Sequence, residues 1–401
     1  MIIKAKERGD GAQLARYLLT MRDNDHVELH EVRGFISDDL RGAFCEADAI
    51  AAGTRCQNHL FSISLNPPQE AAVTAEEFEK AADEVERKFG LEGQPRAIVF
   101  HEKDGRRHAH VVWSRIDAEH MRAINLSHYK LHLRDVSREL FRAHGWEMPK
   151  GLRDWRERDP LSFTREEWQQ ARRVGLDPKQ IKALFQESWS QSDSGAAFAQ
   201  ALKQRGFTLA RGDRRGVVAV DYRGEIYAVA RQAGVKTKEV AARIGDPKAL
   251  PSVDQAKAAI AARMTDRIKG FVRQAELEAG QGRTALEFRR SELAGRHREE
   301  RQALTKAQEK RWTAETNDRA AKLQRGFSGL WQRVTGKYSK IREQNEREAW
   351  KALMRDRAER DDLIAGQLDE RHVLQDEIRE QRQRQQADWT CRVFVPPQVL
   401  V

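Results

Sequence analysis

His101 to Asp117, HEKDGRRHAHVVWSRID, places three histidines within ten residues around an Asp-Gly pair. Asp-Gly between alternating residues signals a two-residue hairpin loop, because a type I′ turn needs positive φ at both central positions. With Asp104-Gly105 as that loop, Lys103 pairs with Arg106 and His101 with His108. His110 follows two residues along the same strand and projects to the same face. Three imidazoles then converge at the roughly 5–8 Å spacing of cross-strand and diagonal neighbours. Neutral imidazoles grouped on a rigid face suit a divalent metal ion with open coordination positions, whereas three uncoordinated ones would repel as they titrate. The competing reading is a solvated His-x-His face. Val111, Val112 and Ile116 mark a core strand and favour the metal.

Working outward, residues 1–150 predict an antiparallel α+β domain with flanking helices. Asp10 can cap GAQLARYLLTM, in which Leu14, Tyr17, Leu18 and Met21 fall on one helical face. HVELHEVRGF reads as a strand, DDLRGAFCEADAIAAG as a helix stopped by Gly53, and LFSISLNPP as a strand ended by Pro67-Pro68. Thr74 and Glu77 form a capping box, and Gly90 is a natural stop for EEFEKAADEVERKFG. The strands AIVFH and HAHVVWSRI follow, and Ser127 can open a last helix through HYKLHLRDVSRELFRAHG.

Downstream, residues 151–177 read as a charged linker, and 178–250 as a small αβββα module. Its helix SGAAFAQALKQRG leads to the β-like runs FTLARGD, GVVAVDY and EIYAVAR, and KTKEVAARIG closes it. The turn residues Arg211, Arg214 and Arg215 are candidates for phosphate contact, against the alternative of a solvated hairpin. Residues 251–390 predict long charged helices without a strict heptad, packed loosely or between molecules. Residues 391–401 form a short apolar tail.

The chain carries a net charge of +10, which points to an anionic partner, but the excess is placed unevenly. Residues 1–150 hold 22 Lys/Arg against 25 Asp/Glu, so the whole positive balance lies downstream. Ten of the twelve histidines fall in those first 150 residues, so special chemistry is expected there. Cys45, Cys56 and Cys391 make no paired pattern, which argues against a disulfide framework and for a reducing compartment. No apolar run approaches the roughly 20 residues needed to span a bilayer, and MIIKAKERGDGAQ lacks the apolar region of a secretory signal. A cytoplasmic protein without membrane insertion is expected.

His101, His108-Ala109-His110 and the residues through Asp117, together with Tyr17 in LARYLL and the strand SISLNP, resemble the conjugative relaxases. These are the plasmid mobilisation nucleases of the MobA-like branch, within the His-hydrophobic-His endonuclease superfamily. The resemblance covers roughly residues 1–150. It implies that His101, His108 and His110 hold a divalent ion, Mg²⁺ or Mn²⁺ with Zn²⁺ as the alternative, and that Tyr17 is the nucleophile. Tyr129 is the competitor. An acidic residue that orients one imidazole is also implied, with Asp104 and Glu102 as candidates, although Asp104 is already committed to the turn. Ser62 or Ser64 would meet a DNA phosphate, and Arg106, Arg107 and Arg115 would offset phosphate charge.

The implied reaction nicks one strand at a transfer origin, forms a 5′-phosphotyrosine and later rejoins the strand. Implied partners are single-stranded DNA, accessory relaxosome proteins and a type IV secretion coupling protein, with possible translocation of the protein alongside the DNA. A rolling-circle replication initiator or transposase of the same superfamily is the alternative enzyme, and no helicase P-loop occurs to favour it. A non-catalytic DNA-binding adaptor with a helical arm is the other alternative.

Overall fold

The computed structural model describes residues 1–22, 24–154, 160–173, 177–213, 216–263, 266–323 and 337–394. These divide into two compact units, the first made of Met1–Met148 with Phe288–Asp376, the second of Pro149–Glu287 with Glu377–Val401. Among the described residues no helix is long and apolar enough to cross a membrane.

The first unit runs β1 (Ile2–Arg8), α1 (Gly11–Leu18), β2 (His26–Arg33), α2 (Leu40–Ala52), β3 (Leu60–Asn66), α3 (Ala75–Phe89), β4 (Arg96–Lys103), β5 (Arg106–Ser114), a two-residue pair β6 (Ile116–Asp117) and β7 (Arg122–Ala123), and α4 (Tyr129–Ala143). The five long strands form one antiparallel sheet in the order β1-β3-β5-β4-β2, so the strands that bear His101, His108 and His110 are internal. Asp104 and Gly105 have φ of 53° and 75°, and the register pairs His101 with His108, as a two-residue turn there dictates.

Each face of the sheet buries a different set of helices, because alternate residues of every strand point to opposite sides. One face sends Phe61, Ile63, Leu65, Ile98, Phe100, Val111 and Trp113 against α3 and α4. The other sends Leu60, Ala97, Val99 and Val112 against Leu14, Ala15 and Leu18 of α1 and Leu40, Ala43 and Phe44 of α2. The helix starts follow their caps: Asp10 accepts from Gln13, Asp39 from Arg41 and Gly42, and Thr74 with Glu77 completes the capping box. Ser127 does not open α4. His128, in a left-handed conformation without a side-chain cap bond, stands there instead.

A buried arginine fastens α3 to the sheet. Arg96 is 2% exposed and holds Glu31 through both carboxylate oxygens at 2.7 and 3.0 Å, Asp83 at 2.7 Å and Glu86 at 2.9 Å. Glu86 also accepts from the Trp113 indole at 2.8 Å. Breaking a buried pair strands its partners, which costs about 3–5 kcal/mol. Arg96→Met is expected to lower unfolding stability by about that much, and a urea denaturation midpoint unchanged from wild type would refute it.

The C-terminal helices in the first unit belong to α12 (Asp266–Ala321) and α13 (Lys337–Phe394). Within the chain the two helices pair with each other without a strict heptad. Arg311 pairs with Asp356 and Glu359, Arg355 with Glu315, and Lys322 with Glu348. Buried apolar residues between them are few, chiefly Ala294, Ala352, Ile364 and Leu368, so a polar seam replaces the heptad.

The second unit contains α5 (Lys150–Arg153), α6 (Arg165–Arg173), α7 (Pro178–Ser190), α8 (Gly195–Gln204), β8 (Thr208–Arg211), β9 (Val217–Val220), β10 (Ile226–Ala228), α9 (Val229–Ala233), α10 (Thr237–Ile244) and α11 (Val253–Arg263). Its three-stranded antiparallel sheet, β10-β9-β8, packs with Phe185, Phe198, Phe207 and Tyr227 into one core that Ala171 of α6 also joins. EIYAVAR is a strand only as far as Ala228. Val229 turns inward as the start of α9, which Gly234 ends with φ of 70°. Arg214, Arg215 and residues 395–401 lie outside the described residues.

Candidate metal centre and nucleophile

The triad lies on the sheet face that α1 and α2 cover, at the C-terminal end of α1. His101, His108 and His110 project to this face with ring centroids 5.4, 4.5 and 5.1 Å apart. One ring nitrogen from each lies within 4.8 Å of the other two, so the three could hold a metal ion. Burial pushes all three imidazoles below their ordinary range, and His108 falls to about 3 with help from His101, Arg106, Lys103 and Lys4. The rings are therefore neutral near pH 7 and offer lone pairs. The donor set fits a divalent ion.

The group that orients His101 is a backbone carbonyl. Its Nε2 lies 2.6 Å from the Leu18 oxygen, at the end of α1. A carbonyl only accepts, so Nε2 carries the proton and Nδ1 is left with its lone pair for a ligand. The same bond ties α1 to the triad, and α1 carries Tyr17. The phenol is 60% exposed, standing apart from the buried Leu14/Ala15/Leu18 stripe, and its ring meets His110 edge-on at 6.4 Å. Periodicity had placed Tyr17 and Met21 on the apolar face, but both are exposed because α1 ends at Leu18 and buries a narrower stripe. Tyr129 lies on the opposite face, packed against Phe61 at 5.5 Å.

Other residues singled out in the sequence are distributed more widely. Ser64 pairs with His110 and Ser62 with Val112, so both share the triad's face. The Ser64 hydroxyl accepts from Asn66 at 3.1 Å. Arg106 is exposed beside the triad, opposite Lys103. Arg107 points the other way, buried over the Phe100 ring at 4.0 Å and 3.3 Å from Glu28. Arg115 is engaged by Glu7, and Arg211 ends β8 in the second unit. Asp104 occupies the turn, where Arg290 lies 3.6 Å away. Glu102 is buried on the face away from the imidazoles; burial opposes its ionisation, but Arg301, Arg371 and Arg107 outweigh that and hold it at about 2.

Two lysines were missed. Lys4 pairs with Ser64 and Lys6 with Ser62, so the exposed side of β1 adds two cations to the triad's face. The signal was present in IIKAKER, where Ile3, Lys4, Ala5 and Lys6 alternate apolar and charged. His26, His30 and His59 take no part in the triad: His30 bonds Glu79 at 2.7 Å and His59 bonds Asp48 at 2.7 Å, while His26 pairs with Glu102.

Residues 17–146 match the family described as Relaxase: MobA/VirD2-like, nuclease domain. No curated protein and no solved structure matches the chain.

Proposed function

We propose that this chain, which belongs through residues 17–146 to the MobA/VirD2-like relaxases, nicks one strand at a transfer origin by attack of Tyr17 and stays joined to the 5′ end. The observation that carries the reading is the placement of Tyr17. An exposed phenol lies beside His110, on a helix whose terminal carbonyl is bonded to His101.

Tyr17 Oη would form a bond to the scissile phosphorus while the bond to the 3′ oxygen breaks. The phenol gives up its proton and the departing 3′ oxygen takes one up, leaving a 5′-phosphotyrosine and a free 3′-hydroxyl. One phosphodiester replaces another, so the strand can be rejoined by the reverse step without an energy source. A divalent ion held by His101, His108 and His110 would draw charge from the non-bridging oxygens of the phosphate. Lys4, Lys6, Lys103 and Arg106 supply the cationic surroundings that a nucleic-acid strand needs, on a domain whose net charge is otherwise acidic.

The test uses a single-stranded oligonucleotide containing the cognate origin, labelled at either end, with Mn²⁺ or Mg²⁺ and with chelator. The 3′-end label is expected to migrate with protein and the 5′-end label with a shortened free strand, only when metal is present. The reverse attachment, or an adduct indifferent to chelator, would refute the mechanism.

A further inference from the structure

Glu102 has surroundings that the nicking chemistry does not explain. It lies between His101 and Lys103, is 1% exposed, and faces away from the imidazoles. A carboxylate taken out of water loses several kcal/mol of hydration unless its charge and hydrogen bonds are met. Here they are met from far along the chain. Arg301 of α12 reaches both oxygens of Glu102 at 2.9 Å, a bidentate pair, and Arg371 of α13 bonds the second oxygen.

These contacts close into a ring. Arg301 donates to the Gln367 side chain at 2.6 Å, Gln367 donates to the His297 carbonyl at 3.2 Å, and Arg371 Nε donates to His297 Nδ1 at 3.1 Å. Each member constrains the next, so Glu102 is held by two helices that also hold each other. At the turn, Arg290 bonds Asp25 at 2.8 Å and lies beside Asp104, and a Cβ added to Gly105 would fall 2.6 Å from the His372 ring.

Sheet pairing shows why this end of the hairpin needs support. β3 pairs with β5 only as far as Leu65 opposite Ala109, so Arg106, Arg107 and His108 have β4 as their only ladder neighbour. β2 pairs with β4 only to His26 opposite Glu102. At His101 and His108 the five-stranded sheet has therefore narrowed to three strands, β2, β4 and β5, and at Lys103 and Arg106 to two. A two-stranded ribbon alone is marginally stable, so the tip beyond the triad depends on other contacts.

We propose that Glu102, Arg301 and Arg371 are positioning residues for the imidazole triad, and that the C-terminal helices are thereby part of the architecture of the metal site. The inference rests on the metal-binding reading of the triad. It gives the far C-terminal region a role in the nuclease itself.

The test compares full-length wild type, Arg301→Ala, Arg371→Ala, Glu102→Gln and Arg301→Lys. Mn²⁺ affinity is measured by calorimetry, hydrogen exchange of amides 101–108 by mass spectrometry, and cleavage of the origin oligonucleotide as kcat and KM. Outer partners of metal ligands commonly contribute 10–100-fold to affinity. Arg301→Ala and Arg371→Ala are expected to weaken Mn²⁺ binding about 10-fold, accelerate exchange at 101–108 and lower kcat, with KM for DNA little changed. Arg301→Lys, which keeps the charge but loses the bidentate fork, is expected to recover part of the affinity. Folded Arg301→Ala and Arg371→Ala proteins with wild-type Mn²⁺ affinity would overturn the proposal. Should either fail to fold, Glu102→Gln decides by the same affinity criterion. Wild type that binds no Mn²⁺ at the triad removes both readings, whereas wild-type binding with unaffected variants removes only this one.

Discussion

Tyr17→Phe protein is expected to form no covalent adduct with origin DNA while binding the same oligonucleotide within about twofold of wild type, since surface changes of this kind alter free energies by under about 0.5 kcal/mol. The substitution removes one oxygen and leaves the ring. Because the ring is exposed and contributes nothing to the α1 stripe of Leu14, Ala15 and Leu18, neither the fold nor the edge-on contact with His110 should change. Loss of a covalent nucleophile costs on the order of 10⁶-fold in well-studied hydrolases, so a fall in cleavage rate of at least ~10³-fold is a conservative threshold. Denaturing electrophoresis of the labelled oligonucleotide reads the outcome. A persistent adduct would move the nucleophile elsewhere, and Tyr129 would be a poor replacement because it lies across the sheet, half-buried against the apolar core.

His108→Ala is the second large effect. The imidazole would be one of three donors, and it stands on the part of β5 whose only ladder neighbour is β4. If an outer partner of a ligand contributes about 10–100-fold to metal affinity, loss of a ligand itself should exceed ~100-fold. Cleavage should fall at least in proportion at sub-saturating Mn²⁺. DNA affinity in the absence of metal should change little, because Lys4, Lys6, Lys103 and Arg106 remain. Calorimetry with Mn²⁺ and a binding isotherm in chelator separate the two quantities. Equal losses in both would mean that the histidine serves DNA contact rather than metal binding.

The central hairpin was legible because its information is local. Asp104-Gly105 sets the turn, the turn sets the register, and the register brings His101 opposite His108. The capping box of Thr74 and Glu77 likewise announced α3. Legibility failed where partners are distant or lack a side-chain signature. The carbonyl that fixes the His101 tautomer belongs to Leu18, and any residue at that position offers the same oxygen. Glu102 looked like a companion of its histidine neighbours, yet strand alternation turns it away, towards arginines 199 and 269 residues later. The C-terminal helices read as packed loosely or between molecules because their seam is built from Arg, Gln, Glu and Asp, which periodicity of apolar residues does not register.

The 269 residues between Glu102 and Arg371 also impose an order on biosynthesis. At about 5–20 residues per second, a ribosome takes on the order of tens of seconds to travel from one to the other. Throughout that interval the nascent polypeptide owns its histidine strands but not the complete set of arginines that meets Glu102, so that network closes only after Arg371 has been made.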